Sequence, residues 1–277
     1  GAACPGCKHS GMFYCPFCCV PLGVPEGVEV PRVELPFGRC DVIFDDAAKK
    51  ATSMHARVLA PDQVRLVDLY TSDGSTNRTL SRCAPNAEGT GASVVREVPA
   101  YDPRTTWVLF PDEGSSTFAE ALAAEGLQGP GEVTIVAIDS PWRRAKTLRQ
   151  HPNIARLRSV RLARPPPSNF WRYHAEGEGC VSTVEALAQL AREAAAGVEP
   201  DGDPLGHPLL FFFTRQLAHM AASVRSRGDG AELPTDAQAK DRRAARVRQR
   251  EAKPGAQRMQ PRGADTAEPP AKSARAA

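Results

Sequence analysis

The sequence predicts an α/β protein, a parallel sheet flanked by helices, preceded by a small N-terminal knuckle in which four cysteines hold a metal. Three observations carry this expectation. Thr106 to Phe110 and Thr134 to Ile138 are short apolar runs, rich in β-branched and aromatic residues and of strand length. Between them lies an amphipathic segment opened by Thr117-x-x-Glu120, a capping box, so the order is strand, helix, strand, which favours parallel pairing. Ahead of both, Cys4-Pro-Gly-Cys7 and Cys15-Pro-Phe-Cys18 form two C-x-x-C pairs, a spacing that lets four thiolates surround one Zn²⁺.

The chain has 277 residues, 42% hydrophobic and 24% charged, enough to bury a substantial core as one main domain with appendages. No run approaches the roughly 18–20 apolar residues of a membrane span, and the first residues lack the order of a signal peptide. The expectation is an intracellular protein, of nucleus or cytoplasm, with no membrane partner and no protein partner. That compartment favours metal over disulfides for the four cysteines. The net charge of +3 is unevenly spread, with 13 Lys/Arg against 7 Asp/Glu from Arg225 onward and 22 against 25 before it. The expected divisions are a knuckle and linker over 1–30, a main domain over 31–225 with a loop insertion near 71–100, and a basic disordered tail over 226–277.

In chain order, Cys4, Cys7, Cys15 and Cys18 form a closed ligand set without an open position, which makes the metal structural rather than catalytic. His9 is an alternative ligand, and Cys19 is a competitor for Cys18. Cys40, Val42 and Phe44 alternate with other residues as in a strand, and Val64 to Tyr70 does the same. His55 reads as structural. Residues 71–100 are polar and read as a loop, and Glu88-Gly-Thr-Gly neither follows a strand nor opens a helix, so no phosphate loop is expected. Pro111 to Ser115 and Asp139 to Trp142 end consecutive parallel strands and should be neighbours.

Asp139 closes the second apolar run, and Ser140-Pro141 then supplies an N-cap hydroxyl and a proline for the first helical position. A carboxylate at that end of a strand is where open α/β sheets place ligands. From Arg143 to Arg172 there are nine Lys/Arg and no acid, a surface suited to a polyanion. Within Arg158 to Ala163, Val160 and Leu162 are expected to face inward. Arg164 and three prolines lead into Phe170, Trp171 and Arg172, rings and guanidinium groups suited to unstacked RNA bases, or to capping the core. Ser182-x-x-Glu185 is a second capping box, and its helix start either holds an anion or is simply capped. His207 to Met220 reads as a core helix, and the tail beyond Ser226 as disordered.

Taken together, several of these motifs resemble the DTW-domain family, of the tRNA-uridine aminocarboxypropyltransferase type. The matching residues are the cysteine pairs, Leu35-Pro, His55-Ala-Arg57 with Leu59-Ala-Pro61, Leu109-Phe-Pro111, Asp139-Ser-Pro-Trp142, Phe170-Trp-Arg172 and Ser182-Thr-Val-Glu-Ala186. They run from Cys4 to about Met220. The family signature is Asp-x-Thr-Trp. Pro141 stands where threonine is expected, which keeps Asp139 and Trp142 but removes a hydroxyl.

The resemblance implies a SPOUT-like fold that binds S-adenosylmethionine in a knotted C-terminal part. It also implies transfer of the 3-amino-3-carboxypropyl group to N3 of a uridine in tRNA, with release of methylthioadenosine. On that basis Asp139 is the candidate general base and Trp142 stacks on the base or packs beneath it. Leu109, Phe110, Pro111, Val160 and Leu162 form the adenosine pocket, with Ser182 and Thr183 on polar groups of the cofactor. Arg143, Arg144, Lys146, Arg164, Phe170, Trp171 and Arg172 face tRNA, and zinc in the knuckle is structural. The competing expectations are an RNA methyltransferase with the same cofactor and a zinc-containing RNA-binding protein without catalysis.

Overall fold

The computed structural model describes residues 1–45, 51–69, 97–170, 180–196 and 203–226. The expected insertion falls mostly outside these residues, as does the tail. At the N-terminus two short antiparallel pairs build the knuckle: β1 (Ala2–Ala3) with β2 (Ser10–Gly11), and β3 (Tyr14–Cys15) with β4 (Val20–Pro21).

The main body is a six-stranded sheet in which every strand pair is parallel. Its strands are β5 (Arg39–Phe44), β6 (Val64–Asp68), β7 (Thr106–Leu109), β8 (Ser116–Thr117), β9 (Thr134–Asp139) and β10 (Arg158–Arg161), ordered β6-β5-β9-β7-β10-β8. The run Thr134 to Ile138 is thus a central strand. It registers Asp139 against Phe44 on one side and Ala137 against Leu109 on the other.

Helices cover both faces, as parallel sheets require. On one face α1 (Ser53–Leu59), α2 (Phe118–Glu125), α5 (Thr183–Ala196) and α6 (Phe211–Arg225) pack against Val42, Phe44, Trp107, Ile135 and Val160. On the other, α4 (Pro152–Ala155) brings Ile154, and Leu157 follows, onto Ile43, Val108 and Val136, beside Leu148 of α3 (Trp142–Arg149). Trp107 is fully buried, meets Phe118 edge to face at 5.2 Å, and donates its Nε1–H to the Arg104 carbonyl at 3.2 Å. Burying such a ring contributes several kcal/mol, of the order of 1.5–3 kcal/mol by area alone.

Alternation of Cys40, Val42 and Phe44 reads as a strand, and β5 is one, with Asp41 and Ile43 as buried as Val42. Asp41 tolerates this position because Arg65 donates to both its oxygens, one bond at 2.9 Å, and Tyr101 Oη donates at 3.0 Å. The helix after Asp139 starts one residue later than expected: Pro141 is the cap, extended at ψ 136°, and no side chain caps the helix. The segment after His207 begins as a 3-10 turn over Pro208–Leu210, and α6 follows from Phe211. The capping box of Thr117 and Glu120 forms as expected, with bonds of 2.8 and 3.3 Å.

Candidate functional site

A cavity of about 630 Å³ opens at the carboxyl edge of the sheet. One wall is the end of β7, Leu109, Phe110 and Pro111. A second is the end of β9 and the start of α3: Ala137, Asp139, Ser140, Pro141, Trp142 and Ala145. Ser182, Thr183 and Ala186 at the start of α5 close a third side, and Arg161, Leu162, Pro165 and Phe170 a fourth. The expected neighbourhood of Pro111, Asp139 and Ser182 is therefore observed. Its size lies within the usual range for small-molecule sites, roughly 300–1,000 Å³.

Asp139 is 8% exposed, and Ser53 N–H donates to its Oδ2 at 3.0 Å. Thr52, one residue earlier, lines the cavity, and its Oγ1 accepts from Val184 N at 3.3 Å. The first turn of α1 thus ties the end of β9 to the start of α5. These two residues were not singled out from sequence; a Thr-Ser pair before an apolar segment is an N-terminal helix signal that points to them. Trp142 packs on Phe110, with ring centroids 5.9 Å apart. Ser140 Oγ is buried and has no hydrogen-bond partner among the described residues.

Glu185 does more than cap α5. It accepts from Ser182 N–H at 2.8 Å, Ser182 Oγ at 2.7 Å, Ser168 Oγ at 3.1 Å and Asn169 N–H at 2.8 Å. Two turns along the same helix, Glu193 accepts from Ala163 N–H at 3.0 Å and Arg164 N–H at 3.3 Å. The proline segment from Ala163 to Phe170 is therefore strapped to α5 at both ends, and it carries one cavity wall.

Of the expected pocket residues, Leu109, Phe110, Pro111, Leu162, Ser182 and Thr183 line the cavity, and Val160 does not. Val160 is fully buried in the core beneath, its carbonyl accepting from Phe110 N–H at 2.9 Å. The cavity sits beyond the strand end, so the next residues, Arg161 and Leu162, reach it instead.

The expected polyanion surface is partly consumed by the fold. Arg144 Nε lies 2.6 Å from the buried carboxylate of Asp45. Arg149, counted in the basic run, donates to the carbonyls of Ile154 and Leu157 and to Ser159 Oγ, at 2.9 to 3.2 Å. Lys146 and Arg164 are exposed, whereas Phe170 lies near-parallel to Phe213 at 6.4 Å as part of the wall. Trp171, Arg172 and the side chain of Arg143 lie outside the described residues.

In the knuckle the Sγ atoms of Cys4, Cys7, Cys15 and Cys18 all lie within 4.8 Å of one another, and none is in a disulfide. Thiolates bound tetrahedrally at about 2.3 Å sit about 3.8 Å apart, so this set fits one zinc ion. Cys18 N–H donates to Cys15 Sγ at 3.3 Å, and Cys19 adopts φ 52°, which turns the chain out of the knuckle. Burial pushes the Cys15 thiol up to about 11, a cost that a bound cation removes. His9 packs on Phe17 at 4.4 Å and is not in the cluster. Tyr14 couples the knuckle to the body through His55 at 5.2 Å and Phe212 at 5.3 Å. His55 is 1% exposed, and burial pulls its pKa down to about 3, so it is neutral.

The tRNA-uridine aminocarboxypropyltransferase 1 of Mus musculus is 26% identical over 262 residues, covering 83% of this chain and 80% of the relative. That of Rattus norvegicus is 25% identical over 259 residues, with 83% and 80% covered, and that of Xenopus laevis 27% over 207, with 66% and 67%. No solved structure matches the chain. The model of the DTW domain matches residues 12–220, from within the knuckle to α6 and through every wall of the cavity, and the chain belongs to the DTW domain family.

Proposed function

We propose that the chain is a tRNA-modifying transferase that moves the 3-amino-3-carboxypropyl group of S-adenosylmethionine to N3 of a uridine in tRNA. The product is acp3U, and methylthioadenosine leaves. The observation that carries this reading is the buried Asp139 carboxylate in the wall of a ligand-sized cavity at the sheet's carboxyl edge. Relatives named tRNA-uridine aminocarboxypropyltransferase 1 support a tRNA-modifying transferase. The apolar walls from Leu109, Phe110, Leu162 and Phe170 suit an adenosine, and the start of α5 at Ser182 and Thr183 suits its polar groups. In this reading the C-terminal part is knotted as in SPOUT-like folds, and the four cysteines hold a structural zinc.

Uridine N3 carries a proton and is a poor nucleophile until that proton leaves. Asp139 takes it, held by Ser53 N–H on Oδ2 so that the carboxylate keeps one orientation. The freed N3 electron pair forms a bond to the carbon on the methionine side of the sulfonium. The carbon–sulfur bond breaks, its pair returns to sulfur, and the positive charge is lost as the neutral thioether departs. Excluding water strengthens each of these interactions, and the Phe110–Trp142 pair contributes to that. Lys146, Arg164 and the arginines at 143 and 172 are proposed for tRNA phosphates.

The test uses S-adenosylmethionine labelled separately in the methyl and carboxypropyl carbons, followed by nucleoside analysis of the tRNA. Only the carboxypropyl label should enter. Entry of the methyl label makes the chain a methyltransferase, and entry of neither, with tRNA bound, makes it a binding protein. Asp139→Asn should abolish transfer while leaving S-adenosylmethionine binding intact.

A further inference from the structure

Among the described residues that line the cavity, two carry a formal charge: Asp139 and Arg161. Asp139 ends β9 and Arg161 ends β10, with β7 between them. At a strand spacing of about 4.8 Å their backbones stand about 10 Å apart across the cavity floor. The other well-placed arginines are already engaged: Arg144 with Asp45, Arg149 with backbone carbonyls and Ser159, and Arg158 with Glu125. Arg161 differs from these. It donates through Nη1 to the Ser115 carbonyl, which fixes the guanidinium, and no carboxylate among the described residues forms an ion pair with it. The exposed Glu120 lies close enough to feel its field but outside pairing distance. A half-buried, oriented guanidinium in a cavity wall, with no ion-paired carboxylate among the described residues, is a site for an anion, because desolvating a carboxylate without a cation is costly.

We propose that Arg161 is the anchor for the donor's α-carboxylate, an assignment that rests on the S-adenosylmethionine reading above. The carboxylate belongs to the group that moves rather than to the adenosine that leaves. An anchor at Arg161 therefore holds the travelling chain before, during and after transfer. It also fixes the pose: with the carboxylate at β10 and the base at Asp139, the carboxypropyl chain spans the end of β7 and turns its reactive carbon, not the methyl, toward the acceptor. Specificity for carboxypropyl over methyl transfer follows from where the two charges sit. A tRNA phosphate is the competing occupant for this guanidinium.

The experiment measures binding by calorimetry, without tRNA, of S-adenosylmethionine and of its decarboxylated form to the wild type, Arg161→Gln and Arg161→Lys. The wild type should bind the decarboxylated donor about tenfold to a hundredfold more weakly, the worth of a charge-assisted contact. Arg161→Gln should lose the same factor for S-adenosylmethionine and nothing further for the decarboxylated donor. Arg161→Lys, which keeps the charge without the fork, should fall between and serves as the folded reference. Affinity for tRNA should change less than about twofold, as expected of a residue away from the phosphates.

Equal weakening of both donors, or unchanged binding of S-adenosylmethionine to Arg161→Gln, overturns the assignment while leaving the donor reading intact. A drop in tRNA affinity with donor binding unchanged assigns the guanidinium to a phosphate instead and overturns it too. Failure of the wild type to bind S-adenosylmethionine removes the donor reading itself.

Discussion

Glu185 offers the sharpest test of how the cavity wall is held. Its side chain belongs to a residue only 4% exposed and accepts four hydrogen bonds, two of them from backbone N–H groups that have no freedom to turn elsewhere. Glu185→Ala removes the capping box and strands those two donors; at about 1–3 kcal/mol each, plus about 1 kcal/mol for the cap, the expected loss is about 3–7 kcal/mol. Glu185→Gln is milder. The better amide orientation keeps its oxygen where Oε2 serves three donors and turns the NH₂ toward Asn169 N–H. One charge-assisted bond is lost, at about 1.5–3 kcal/mol. Glu193→Ala loses two exposed bonds to backbone N–H groups and one from Gln189 Nε2 at 3.0 Å, and should cost about 1 kcal/mol. Urea unfolding followed by tryptophan fluorescence at pH 7 reads all three. An alanine variant within about 1 kcal/mol of wild type, or glutamine equal to alanine, would refute the argument that a desolvated carboxylate holds this segment.

Three further outcomes are expected. His55 stays neutral with a pKa near 3 when folded and near 6.5 when unfolded, so below pH 6.5 the unfolded chain binds the extra proton and stability falls as pH falls. Between pH 7 and pH 5 this removes about 2 kcal/mol, and His55→Leu should flatten the pH dependence of the urea midpoint by that amount, which comparison of the two profiles checks. Elemental analysis should find one zinc per chain, with four thiols becoming reactive together on chelation; two disulfides and no zinc would contradict the knuckle assignment. Ser140→Ala removes a buried hydroxyl without a partner among the described residues and should leave the ligand-free protein unchanged or more stable by up to about 1 kcal/mol in a thermal melt; a loss of that size would mean the hydroxyl is paired.

What the sequence discloses is what local pattern controls. Thr134 to Ile138 reads as a buried strand because β-branched residues fill both faces, and Asp139 follows at the edge where ligands bind. The capping boxes at Thr117 and Ser182 need only three residues each. Long-range pairing is invisible to such patterns. Thr52 and Ser53 matter because they meet Val184 and Asp139, 132 and 86 residues away, and Glu185 because it meets Asn169 as well as its own cap. Alternation says which face Val160 takes, and it is buried as expected, but alternation does not say where the strand stops below the cavity. The basic run misleads in a similar way. Composition counts Arg144 and Arg149 as available charge, whereas the fold spends them on Asp45 and on backbone carbonyls.

The strand order has a consequence for the chain as it is made. β5 and β6 pair early, but the other edge of β5 waits for β9, whose Thr134 pairs with Arg39. At roughly 5–20 residues per second on a ribosome, that gap lasts about 5–20 s. Throughout it, the nascent sheet presents Cys40 to Phe44 as an apolar edge with unpaired amides, and β7 has no neighbour until the same strand arrives. β9 is thus the keystone of synthesis as well as of the site. A nascent chain stalled before residue 134 should remain protease-sensitive and recruit chaperones, and one released beyond Arg161 should not, because by then β5 and β7 each have a neighbour on both edges.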